Sequence, residues 1–119
     1  MKYRALLCED NEYVREVIKF VLDERNYEVF QFEDAAECPL HSTTECICNA
    51  ENVCADIIIS DVSMPKVNGL EFVEKLRGIG CKIKYIALVS GYWTEQDISR
   101  ANGIGSTVFH KPLHPDVLS

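Results

Sequence analysis

Five positions in this chain carry side chains suited to phosphoryl chemistry: the carboxylates of Glu9, Asp10 and Asp61, the hydroxyl of Ser90 and the ammonium of Lys111. Three carboxylates brought to one place repel one another, and burial raises the cost. A divalent cation removes that cost, and carboxylate and carbonyl oxygens suit Mg²⁺ (or Mn²⁺) better than zinc or copper. An ionised aspartate beside such a cation can attack a phosphoryl group and form an acyl phosphate. An ammonium and a hydroxyl can then hold the added oxygens. Taken singly, each position has an ordinary explanation. An acidic pair after a strand is usually a helix cap. Ser90-Gly91 reads as a turn, and Lys111-Pro112 reads as a loop. The chemistry requires a fold that gathers all five.

The apolar pattern supplies such a fold. Tyr3 to Cys8 reads as a buried strand that ends at Glu9-Asp10. Val14, Val17, Ile18, Val21 and Leu22 recur at helical spacing, with Asp10 or Asn11 available as cap. Glu28 to Phe32 reads as a second strand, and Ala55 to Ser60 as a third, buried on both faces. Leu70, Val73 and Leu76 mark a helix that stops near Gly78 and Gly80. Tyr85 to Val89 reads as a fourth strand. Thr94 followed by Asp97 is a capping signature for a helix from Glu95 to Asn102, with Gly103 to end it in a left-handed conformation. Thr107 to His110 reads as a fifth strand. Strand and helix in alternation imply a parallel sheet with helices on both faces and right-handed crossovers. Ligands of such sheets bind beyond the carboxyl ends of the strands, which is where Glu9-Asp10, Asp61, Ser90 and Lys111 fall. The stretch from Asp34 to Val53 is the weakest. Pro39, Thr43, Thr44, Asn49 and Asn52 disfavour a regular second helix there.

With these positions in place, the sequence resembles the CheY-like receiver domains of two-component response regulators. The resemblance rests on Glu9-Asp10, on Asp61-Val62-Ser63-Met64-Pro65 with Asn68-Gly69, on Ser90-Gly91 and on Lys111-Pro112. It covers the chain apart from the segment near Cys38 to Cys54, where this sequence is longer than such domains usually are. The resemblance implies an α/β fold, a doubly wound five-stranded parallel sheet of order 2-1-3-4-5. It implies Asp61 as phosphoryl acceptor, Asp10 and Asp61 as side-chain metal ligands, and Glu9 acting mainly through metal-bound water. The backbone carbonyl of Ser63 would be the remaining protein ligand. Ser90 would be the switch hydroxyl, Gly91 would leave the phosphate approach open, and Lys111 would bind the phosphate, with its bond to Pro112 in the cis form. The implied partners are a sensor histidine kinase or phosphotransfer protein as donor, and an output domain or target protein as recipient; a homodimer is a further arrangement. One position departs from the family pattern. The usual aromatic residue three places before the lysine is Val108 here, with Phe109 beside it, so Tyr92 or Trp93 is the alternative contact residue.

A formal charge of −7 argues against nucleic acid as a direct partner, because phosphate backbones need clustered Lys and Arg. No apolar run approaches the length of a membrane span, and the apolar stretch before Glu9 is too short for a signal peptide. A cytoplasmic setting with reduced cysteines is therefore expected. Residues 1–119 suit one receiver domain. His114 to Ser119 opens a fifth helix that is cut short, so the sequence is expected to be an excerpt of a longer protein, with apolar strand surface left uncovered. Cys38, Cys46, Cys48 and Cys54, with His41 among them, raise a different reading: an interaction module whose cysteine segment binds metal or senses redox state. Their spacing lacks paired Cys-x-x-Cys knuckles, and free cysteine often serves as a small apolar residue, as Cys8 and Cys81 also would. A metal-dependent phosphohydrolase is the third reading. It would want a second carboxylate two residues after Asp61, where Ser63 stands.

Overall fold

A computed structural model of the chain describes residues 3–38 and 55–111. Strand β1 (Tyr3–Cys8) pairs in parallel with β2 (Tyr27–Phe32) on one side and β3 (Ile57–Asp61) on the other. β3 pairs with β4 (Tyr85–Ser90), and β4 with β5 (Thr107–His110), which gives a wholly parallel sheet of order β2-β1-β3-β4-β5. This is the expected doubly wound α/β architecture.

Successive side chains of a strand point to opposite faces, so strands covered on both sides must be apolar throughout. Ala5, Leu7, Ile59, Ala87 and Val89 form one core with Ile18 and Leu22 of helix α1 (Glu12–Glu24). Their neighbours Cys8, Ile58, Ile86 and Leu88 form the other core with Leu70, Phe72, Val73 and Leu76 of α2 (Gly69–Gly78) and Ala101 of α3 (Glu95–Gly103). Each helix starts on a side-chain cap. Asn11 accepts from the Val14 N–H, Asn68 from those of Leu70 and Glu71, and Thr94 from that of Asp97.

The strand register then determines where the chemistry collects. Cys8 lies beside Ser60, Asp61 beside Val89 and Ser90 beside His110. The residues that end or follow these strands (Glu9, Asp61, Ser90 and Lys111) therefore come out along one edge.

Two local expectations are corrected. The third strand runs Ile57–Asp61 and not Ala55 to Ser60. Asp56 instead accepts from the Arg4 N–H at the margin of the sheet, while Asp61 stays within the ladder. Gly103 is the last residue of α3, and the left-handed position after it belongs to Gly105, with φ of 75°. After β2 the chain makes only a single 3₁₀ turn, Ala35–Glu37, capped by Asp34, in keeping with the irregular start expected for this segment. Expectations for His41, Cys46, Cys48 and Cys54, for Pro112 and for a truncated fifth helix lie outside the described residues. No helix among the described residues is long and apolar enough to cross a membrane.

Candidate functional site

Glu9 follows β1 directly and is held there by its main chain. Its N–H donates to Phe32 O of β2 at 3.0 Å, and its carbonyl accepts from Arg15 Nη1 of α1 at 2.8 Å. The side chain is 1% exposed. Glu9 Oε1 accepts from Lys111 Nζ at 2.9 Å and from the Asn11 N–H at 3.3 Å. Glu9 Oε2 is buried and has no hydrogen-bond partner. A buried carboxylate oxygen without a donor is costly and marks a place where another group belongs.

Asp61 ends β3, 4% exposed, and its Oδ2 accepts from Lys111 Nζ at 3.0 Å. One oxygen each from Glu9, Asp10 and Asp61 lies within 4.8 Å of the others. Burial, followed by the charge of Glu9, pushes the Asp61 carboxyl up to about 7 against the pull of Lys111. Burial acts in the other direction on Lys111, but hydrogen bonds to Glu9 and Asp61 outweigh it and hold the ammonium above the ordinary lysine value. One cation thus bridges two buried carboxylates while a third carboxylate, Asp10, stands at the exposed rim. The donors are all hard oxygens, and one of them lacks a partner. This fits Mg²⁺ or Mn²⁺ and not a soft metal.

The main chain of Asp61 is braced from below. Its carbonyl accepts from Ser60 Oγ at 3.0 Å, and α2 begins so close that a Cβ on Gly69 would sit 2.0 Å from it. Only glycine fits there. Gly91 is different. A Cβ at that position would meet nothing nearer than Lys111 Cβ at 3.9 Å, an ordinary contact, so packing does not demand glycine there.

Ser90 ends β4 and is buried, but its hydroxyl is turned into its own loop. Ser90 Oγ donates to Tyr92 O at 2.9 Å and accepts from the Tyr92 N–H at 3.2 Å. Its main-chain carbonyl accepts from the Lys111 N–H at 2.9 Å. Of the two aromatic residues in that loop, Tyr92 is 80% exposed. Trp93 is half-buried against the core, and its Nε1 donates to Phe109 O at 2.9 Å. Trp93 therefore joins the loop to β5, and Tyr92 is the one presented to solvent. Ser63 is exposed in the loop between β3 and α2.

Two features were not legible in the residue pattern. Cys38 is buried and its side chain hydrogen-bonds with Cys8; that bond and burial push the Cys8 thiol well up. A thiol held protonated in the core is a packing residue. Asp34, whose only sequence signal is that of a cap, also reaches the loop after Asp61.

The chain matches the family described as "Response regulator receiver domain" across residues 5–119. A probable transcriptional regulatory protein of Picosynechococcus is 36% identical over 87 residues, covering 73% of this chain and 34% of the relative. The CAI-1 autoinducer sensor kinase/phosphatase CqsS of Vibrio cholerae is 28% identical over 120 residues, covering 97% of this chain and 16% of the relative. The chain spans less than half the length of the curated relatives it matches. Among solved structures, the chemotaxis protein CheY4 of Vibrio cholerae superposes with a TM-score of 0.76 at 26% identity, covering 99% of this chain and 93% of that one.

Proposed function

The chain belongs to the response regulator receiver family of two-component systems, and from that premise we propose that Asp61 accepts a phosphoryl group and that its arrival switches the Ser90 loop. The observation that carries this reading is the Lys111 ammonium, which holds buried Glu9 and Asp61 at 2.9 and 3.0 Å while Glu9 Oε2 stays unpartnered.

Asp10, Asp61 and the Ser63 main-chain carbonyl would hold a Mg²⁺ or Mn²⁺ ion, with Glu9 acting through water. The ion supplies charge neutralisation to the phosphoryl oxygens. An Asp61 carboxylate oxygen attacks the phosphorus of a phosphohistidine on a sensor kinase or phosphotransfer protein. The P–N bond breaks, the imidazole nitrogen keeps the electron pair, and an acyl phosphate forms. Lys111 then turns from the carboxylate toward a phosphoryl oxygen. To reach another such oxygen, Ser90 Oγ must give up Tyr92 O, so the loop that leads to Thr94 and α3 moves with it. That movement is the signal read by an output domain or target protein. The reading carries with it a cytoplasmic setting, where such a donor would meet the domain. A phosphohydrolase lacks its acid, since Ser63 stands two residues after Asp61.

The test is incubation with Mg²⁺ and acetyl phosphate, followed by intact mass. A transient adduct of one phosphoryl group is expected on the wild type and none on Asp61→Asn. An unmodified wild type with Mg²⁺ bound, or an adduct that persists in Asp61→Asn, would sink the proposal.

A further inference from the structure

Asp34 is 4% exposed, and its carboxylate accepts three main-chain N–H groups. Oδ1 takes those of Ala36 at 2.9 Å and Val67 at 3.1 Å, and Oδ2 takes that of Lys66 at 2.8 Å. The Ala36 bond caps the 3₁₀ turn, as an aspartate commonly does. The other two bonds leave that turn and fasten the loop between β3 and α2. The two ends of this loop are fixed elsewhere: the Val62 N–H donates to Val89 O, and the Gly69 N–H donates to Val62 O, each at 2.9 Å. Ser63, Met64 and Pro65 are suspended between the anchor at Val62 and the anchor that Asp34 provides at Lys66. A short span held at both ends has few conformations open to it.

We propose that Asp34 is a positioning residue for cation binding. Its carboxylate fixes the height of the Ser63 main-chain carbonyl relative to Asp10 and Asp61. The inference rests on the reading of Ser63 as a ligand. Mg²⁺ demands near-octahedral geometry with little tolerance in distance, so a loop free to drift would bind it poorly. Residues that hold a ligand from behind typically contribute about 10- to 100-fold in metal affinity. Asp34 touches neither the ion's place nor the phosphoryl acceptor; it acts through the main chain of the loop.

The isosteric Asp34→Asn is the discriminating variant. Its Oδ1 can still accept from Ala36 and Val67, but its Nδ2 would face the Lys66 N–H, donor to donor. The control is Arg77→Ala. It removes hydrogen bonds to Ile104 O and Cys81 O, far from the site, and so costs stability without touching the loop. The Mg²⁺ dissociation constant by calorimetry should rise about tenfold in Asp34→Asn and stay at the wild-type value in Arg77→Ala. Wild-type affinity in Asp34→Asn, or an equal loss in Arg77→Ala, overturns the inference.

Coupling is reciprocal, which provides a second measurement on the unmodified protein. Mg²⁺ should slow hydrogen exchange of the Lys66 and Val67 amides in the wild type, and indifference of both amides to Mg²⁺ also overturns the inference. A wild type that binds no Mg²⁺ removes the cation site and this inference with it. Mg²⁺ binding that ignores Asp34 removes the inference alone and leaves the role of Asp61 standing.

Discussion

At the carboxyl end of the sheet, Glu9 and Asp61 are buried, share one ammonium and leave one oxygen without a donor. At the amino end, the polar groups are at the surface and are provided for. Tyr3 and Tyr85 are exposed, the Tyr3 ring lies 5.8 Å from that of Tyr27, and the Lys84 ammonium lies 5.3 Å from the centre of the Tyr85 ring. Asp56 accepts from the Arg4 N–H at 2.7 Å. Both ends belong to the same strands, separated by a few residues. Removing charge from water without full pairing is expensive, so the carboxyl end stores a cost that the amino end does not. A fold keeps such a cost where a ligand relieves it.

The largest effect should come from removing the shared cation. Lys111→Met leaves Glu9 and Asp61 buried together, and a carboxylate pair stripped of its partner loses about 3 kcal/mol. Urea unfolding of the metal-free protein at pH 8 should show that loss. It should shrink at pH 5, where Asp61 carries a proton. Equal losses at both pH values would break the contrast between the two ends.

Next in size is Gly69→Ala. Its added methyl meets main chain at Asp61 and cannot be relieved by a rotamer change, so a loss of about 1–3 kcal/mol is expected, along with weaker Mg²⁺ binding. Gly103→Ala serves as its counterpart, since no atom lies within 4 Å of a Cβ there. It should be neutral or mildly stabilising by thermal melting.

Asp61→Asn should act with the opposite sign. The native carboxyl titrates at about 7, above its unfolded value of about 3.9. Between these values the native state holds a proton that the unfolded chain has lost, so stability falls as pH rises and the penalty is complete above pH 7. Without metal, Asp61→Asn should therefore melt about 5 °C above the wild type at pH 8 and converge with it toward pH 5. Mg²⁺ should raise the melting temperature of the wild type and not of the variant.

The smallest effect belongs to the amino end. Lys84→Ala removes an exposed cation–π contact and should cost about 0.5 kcal/mol, with the same value at pH 5 and pH 8. A pH-dependent loss there would show that the two ends are coupled.

The alternation of apolar runs and helical spacing was enough to locate the five strands, and the caps at Asn11 and Thr94 were legible because capping is a local affair of three or four residues. So was the convergence of Glu9, Asp61, Ser90 and Lys111, since each ends or follows a strand and parallel strands end on one edge. The left-handed residue after α3 lies two residues beyond the expected one, because Gly103 and Gly105 both offer glycine and the choice between them depends on which carbonyls the last turn leaves open. The sequence offers Trp93 as an alternative contact residue beside Tyr92, and only the position of Phe109 O shows that its indole turns inward.

By itself, then, the sequence determined the parallel α/β architecture and the edge at which acid, hydroxyl and ammonium meet, because periodicity and strand ends are written in neighbouring residues. The tertiary structure alone decided which oxygen of Glu9 lacks a donor, why position 69 admits no side chain, and that Asp34 ties down the loop bearing Ser63. Each of these depends on contact between segments distant in the chain. Burial, unlike periodicity, is a property of the assembled protein and not of any one segment.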